Sequence, residues 1–150
     1  MIRILGLSAY HADAAAAAVA DGKFVAGVEE ERFRRIKHWA GFPELALGWC
    51  ARELAIEPGG ERVNAIAVAR EPRAYLARKA WLALTHPRSW ARAAGRVKNL
   101  HAVASLEGRV TAALGIPQSP PIIPVEHHKA HLASAFYCSP FEEAACLSVD

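Results

Sequence analysis

Apolar and polar positions fall into short blocks along this chain. The run "IRILGLSAY" (2–10) has the continuous apolar and small-residue pattern of a buried strand. The next block, "AAAAAVADGKFVAGVEEERF", divides at Asp21-Gly22, a favoured two-residue hairpin turn, and predicts two strands although an alanine run by itself prefers helix. "PELALGWCARELAI" (43–56) predicts a helix with Pro in its first turn and Leu45, Trp49, Leu54 and Ile56 loosely at helical spacing. "PGG" ends that helix, and "VNAIAVA" (63–69) reads as a short strand. Residues 72–112 lack a strand pattern and predict two or three helices, broken near "THPRS" (85–89). After a turn at "PQSPP" (117–121) come a short strand at 122–125, a helix over 126–138 and a final strand, "AACLSV" (144–149), that runs into Asp150. Strands alternating with helices predict an α/β domain with a mixed sheet.

Composition narrows the class. A length of 150 residues suits one domain, and 53% apolar with 22% charged residues excludes a disordered chain. The net charge of +3 is too small to require a nucleic-acid or membrane partner. Cys50, Cys138 and Cys146 form no paired motif and read as reduced, mostly buried thiols of a cytoplasmic protein. His11 and Asp13 interrupt the first apolar run, leaving about four residues where a signal peptide needs roughly 7–15. No run approaches the ~18 apolar residues of a membrane span.

The basic charge is concentrated. Arg70, Arg73, Arg78, Lys79, Arg88, Arg92, Arg96 and Lys98 face only Glu71, with Trp81 and Trp90 interleaved. Such a face could bind nucleic acid. The preferred reading is an amphipathic helical insertion with core tryptophans and solvated arginines; a rim that attracts anionic substrates is a third.

Two constellations carry chemistry. In "EHHKAHLASAFYC", His127 and His131 lie four apart, so a helix presents both imidazoles on one face, where they can share a metal ion. His128 points about 100° away. Asp150, at the predicted carboxyl end of a strand, could add a carboxylate, giving a set suited to Fe(II), Mn(II) or Zn(II). The plain alternatives are surface histidines and a turn aspartate. The second constellation places Tyr10, His11 and Asp13 after the first strand and gathers Glu29, Glu30, Glu31, Arg32, Arg34, Arg35, Lys37 and His38 downstream. That charged stretch reads mainly as a solvated strand end and loop, although Lys37 and the arginines could grip a carboxylate or phosphate.

Together, "ILGLSAYHADAAAAAVADGKFVAGVEEERFRRIKHWAGFP" and "EHHKAHLASAFYCSPFEEAACLSVD" resemble the N-terminal part of the O-carbamoyltransferases of nodulation-factor and antibiotic biosynthesis. The resemblance implies an actin-like ATPase (ribonuclease H-like) lobe with a helical insertion at about 72–112. It implies that a YrdC-like domain makes carbamoyl-adenylate from carbamoyl phosphate and ATP, and that the actin-like domain passes the carbamoyl group to a hydroxyl of a small molecule such as a sugar. By the family's pattern, His127, His131 and Asp150 bind a divalent metal, Fe(II) in relatives. His11 is then a candidate general base, Lys37 stabilises developing negative charge, and Tyr10 and Asp13 are cofactor-binding positions. Family members are several times longer. Asp150 would open a "DG.GD"-like turn of a second lobe, so this chain reads as a first lobe whose second lobe and YrdC-like domain are absent: a gene fragment, an excised domain or a split enzyme completed by a second chain. The rival expectation is a non-catalytic metal- or RNA-binding module, related to tRNA threonylcarbamoyl-transfer proteins, or an inert fragment.

Overall fold

The structure, a computed structural model, describes residues 1–10, 13–56, 62–70 and 105–149. Its strands are β1 (Arg3–Ser8), β2 (Ala15–Ala20), β3 (Lys23–Glu29), β4 (Ala65–Val68) and β5 (Ile122–Pro124). The helices among these residues are α1 (Glu31–Arg34), α2 (Glu44–Glu53), α3 (Leu106–Leu114) and α4 (His127–Tyr137). The strands form one sheet in the order β3-β2-β1-β4-β5. Strands β1, β2 and β3 are antiparallel neighbours, and β4 runs parallel to both β1 and β5. The expected α/β class and mixed sheet are therefore observed.

The alanine run becomes a strand because the hairpin decides its partners. Asp21 and Gly22 both adopt positive φ, at 48° and 77°, the backbone of a tight hairpin turn. The Asp21 carboxylate also accepts a hydrogen bond from the Ile2 amide at 2.6 Å. Register then aligns Leu5 with Ala18 and Ile66, and Leu7 with Ala16 and Val68, on one sheet face. All six are buried there beside Ala26. Helix α2 packs on that face through Ala46, Leu47, Cys50 and Ala51, and α3 adds Leu106, Val110 and Leu114 to the same core. The small β2 side chains suit close approach of this helix, a packing demand that overrides helix propensity.

Several expectations need correction. Leu45 is exposed; α2 instead buries the Ala46–Leu47 and Cys50–Ala51 pairs, because its N-terminus is fixed elsewhere. Cys50 alone is a buried thiol, pushed up to about 11 chiefly by burial, while Cys138 and Cys146 are exposed. Residues 144–149 form no strand. They are irregular, with Leu147 86% exposed, because no strand lies alongside to complete a ladder. The expected helices over 72–112 lie outside the described residues up to 104, and only α3 is described at the end of that range.

The largest correction concerns Glu30, expected to be solvated. Its side chain is 0% exposed. The carboxylate accepts hydrogen bonds from the α2 amides of Ala46 at 2.8 Å and Leu45 at 3.3 Å, and from Arg34 Nε at 2.7 Å. Pro43, at the N-cap position, has no side chain able to cap, so Glu30 supplies the cap from the end of β3. Glu30→Ala leaves those amides and Arg34 without their acceptor and is expected to lower stability by about 2–4 kcal/mol, whereas Glu29→Ala, which removes an exposed pair with Arg32, should change it by less than about 0.5 kcal/mol. Urea unfolding of both variants checks the contrast; equal small losses would contradict it.

Candidate active site

Sheet topology collects the chemistry-bearing residues at one edge. Antiparallel pairing through β2 makes β3 run in the direction of β1, as β4 and β5 also do. The carboxyl ends of all four therefore lie on the same side. There β1 enters the loop holding Tyr10 and Asp13, β3 leads through α1 to Lys37 and His38, β4 ends before Arg70, and β5 passes directly into α4. Hydrogen bonds stitch this edge: Ala69 N donates to Leu7 O at 2.9 Å and Val125 N to Val68 O at 2.8 Å. Open α/β sheets bind ligands at this side.

The first two loops are laced together. Tyr10 N donates to Gly41 O at 3.1 Å, Ala14 N to Trp39 O at 2.9 Å, and the His38 ring Nδ1 lies 2.9 Å from Asp13 Oδ1. The His38 amide donates to Glu31 Oε2 at 3.1 Å. Four non-glycine residues of these loops adopt the left-handed region: Tyr10 (φ 60°), Asp13 (62°), Arg35 (59°) and His38 (54°). Each costs on the order of 1–2 kcal/mol, strain of the kind that gathers at functional sites. Gly41 is required here, since a Cβ would sit 2.7 Å from Trp39 Nε1.

The basic run divides into occupied and unpaired charges. Arg34 bonds Glu30, reaches Glu44 at 3.7 Å and lies 4.6 Å over the Trp39 ring, while Arg32 pairs with Glu29. Among the described residues, Arg35 and Lys37 have no ion-pair partner. Lys37 is exposed, as an anion-contacting role requires.

On α4 the histidines have the spacing the sequence predicts. His127 Nε2 and His131 Nε2 converge to 3.1 Å, with ring centroids 4.5 Å apart. Two nitrogens bound to one ion at about 2.1 Å lie at most ~4.2 Å apart, and the separation of this pair falls within that limit. His128 instead bonds Glu126 at 2.8 Å, and Glu126 caps the helix by accepting from Lys129 N at 2.9 Å. That bond to His128, and secondarily the Lys129 amide, pull the Glu126 carboxyl down to about 2. His131 also borders a cleft of about 320 Å³ with Leu132, Phe136, Phe141 and Leu147. Among the described residues no group of three metal-binding side chains forms. His11 and Asp150 lie outside the described residues.

Sequence reasoning passed over three residues of this edge. Glu126 carried a signal, as an acidic side chain just before a helix is a cap, yet the sequence pattern absorbed it into the helix. Glu30 and His38 gave none, since their partners Leu45, Ala46 and Asp13 are 15 or more positions away.

Comparison with known proteins bears on the family. Residues 3–72 match the family described as the carbamoyltransferase N-terminus. The chain is 39% identical over its whole length to the uncharacterized protein sll1178 of Synechocystis sp., and 32% identical over 92% of its length to nodulation protein NolNO of Sinorhizobium fredii. It spans 25% of the first relative and 19% of the second. Residues 3–72 thus carry the carbamoyltransferase N-terminal domain pattern, as the sequence motifs imply. No helix among the described residues is long and apolar enough to cross a membrane.

The His38 pKa is raised by its hydrogen bond to Asp13 first and by that carboxylate's charge second, with Glu31 and Glu29 adding to it. A histidine raised above its unfolded value of about 6.5 stabilises fully below that value, and its contribution is lost as pH rises through the folded pKa. The lacing of the two loops should accordingly loosen on the alkaline side of the ordinary histidine range. An NMR titration is expected to place the His38 midpoint above that of an unfolded reference, and Asp13→Asn should lower it. An unchanged midpoint in Asp13→Asn would contradict the pairing.

Proposed function

We propose that this chain is the N-terminal, acceptor-side lobe of an O-carbamoyltransferase with an actin-like fold. The observation that supports this reading most strongly is the convergence of His127 and His131 at the sheet edge that also carries the strained Tyr10–Asp13 and Lys37–His38 loops. The donor in this reading is carbamoyl-adenylate, formed from carbamoyl phosphate and ATP by sequence beyond this chain. The acceptor is a hydroxyl of a small molecule such as a sugar, whose oxygen bonds the carbamoyl carbon as the bond to the phosphate breaks and AMP leaves.

His127 and His131, with Asp150 as a third ligand, would hold a divalent metal, Fe(II) by family resemblance. When bound, such an ion supplies Lewis-acid polarisation of the carbamoyl group. The remaining roles fall to the chain's own residues. His11 takes the proton of the attacking hydroxyl, as a neutral imidazole can near neutral pH. Lys37 places a positive charge where negative charge grows on the carbamoyl oxygen. Tyr10 and Asp13 shape the loop that positions the donor, Asp13 acting through His38.

Anaerobic reconstitution of the purified chain with Fe(II), followed by dialysis and metal analysis by mass spectrometry, tests the centre of this reading. The parent chain is expected to retain metal approaching one equivalent, and the doubly substituted His127→Ala/His131→Ala chain to retain little. Equal metal content in the two chains would remove these histidines from the site.

A further inference from the structure

Arg70 belongs to the same edge but takes no part in the roles above. It follows β4, which lies between two parallel neighbours: Leu7 of β1 pairs with Val68, and Val68 pairs with Pro124 of β5. Arg70 therefore stands between the Tyr10–Asp13 loop and the start of the histidine-bearing α4. Its backbone turns sharply there, the Arg70 amide donating to Val68 O at 2.6 Å.

The side chain is half-buried, and Nη1 is closed to solvent with no hydrogen-bond partner among the described residues. The hydroxyl of Tyr10, off the neighbouring strand, is in the same condition. A buried donor left without an acceptor costs about 1–3 kcal/mol, and more when it is charged, so such groups are rare in native proteins. Here two occur at the ends of adjacent parallel strands, and one belongs to a residue already in left-handed backbone. Both lack an acceptor, and a guanidinium and a phenol can both donate to one oxyanion. A planar guanidinium fork beside a phenol suits the oxygens of a phosphate.

We propose that Arg70 is an anion-binding residue of the site and, with the Tyr10 hydroxyl, receives a phosphate group of a small-molecule ligand. The inference deepens the carbamoyl-transfer reading, for which the ligand is the donor's phosphate, and rests on that reading only for the ligand's identity. Phosphate recognition by Arg70 stands or falls on its own measurement.

Calorimetric titration of the chain with inorganic phosphate, with acetate as the comparison, provides that measurement. Phosphate affinity is expected to fall about tenfold in Arg70→Gln and to recover in part in Arg70→Lys, which keeps the charge but not the planar fork. Tyr10→Phe should weaken it less. Arg62→Gln, which alters an exposed arginine before β4, should leave affinity unchanged. In the unsubstituted chain the Arg70 guanidinium NMR signals should shift on phosphate saturation, a readout that does not depend on any variant folding. Unchanged affinity in a folded Arg70→Gln chain, or guanidinium signals unmoved at saturation, would overturn the proposal. Acetate binding as tightly as phosphate would overturn the assignment to phosphate. Loss of carbamoyl transfer without loss of phosphate binding would count against the donor chemistry and leave Arg70 in its role.

Discussion

The buried carboxylate of Glu30 ties the end of β3 to the start of α2, and the geometry of the candidate site follows from that tie. Glu30 N donates to Ala14 O, its carboxylate caps Leu45 and Ala46, and Arg34 closes over it while stacking on Trp39. Strand, helix and loop are thereby fixed to one charged group that has exchanged water for three protein donors. A buried carboxylate is costly unless such bonds replace its hydration. Here they also set where residues 35–42 begin and end, and hence where Lys37 and His38 emerge.

From that anchor the edge is built by direction alone. Four strands point the same way, so their carboxyl ends deliver residues distant in sequence to one side of the sheet. Asp13 and His38 meet across 25 positions through a bond of 2.9 Å. The imidazole pair of α4 arrives because β5 runs into that helix after only Val125 and Glu126. Strain gathers in the same region: Tyr10, Asp13, Arg35 and His38, four of the six non-glycine residues with left-handed backbone among the described residues, lie in loops whose amides and side chains are tied to one another. Preorganisation of this kind suits a site that must place a small ligand before chemistry begins.

Local patterns made much of this legible in the sequence. The hairpin turn at Asp21-Gly22, the apolar runs of β1 and β4 and the four-residue spacing of His127 and His131 are short-range signals, and the structure contains each of them. What the pattern hid depends on long-range partners. Glu30 sits in a stretch of charge that looks solvated, and only the arrival of α2 turns it into a buried cap. The apolar run at 144–149 has strand composition but no neighbouring strand to pair with, so it stays irregular. Leu45 follows helical spacing yet faces water, because α2 is rotated to suit its cap and its alanine-rich contact with β2. The N-terminal motif, by contrast, falls within the segment that matches the carbamoyltransferase N-terminus, since it joins chemistry-bearing residue types to fixed spacing.

The central claim is that ligand binding occurs at the carboxyl edge of this sheet. Amide chemical-shift mapping of the ¹⁵N-labelled chain titrated with AMP tests it most directly. The account predicts shifts confined to Tyr10, Asp13, Lys37, His38, Arg70 and the first turn of α4, with Ile2, Asp21 and Asn64 at the opposite edge unmoved. Shifts centred on that opposite edge, or none at saturating AMP, would contradict it.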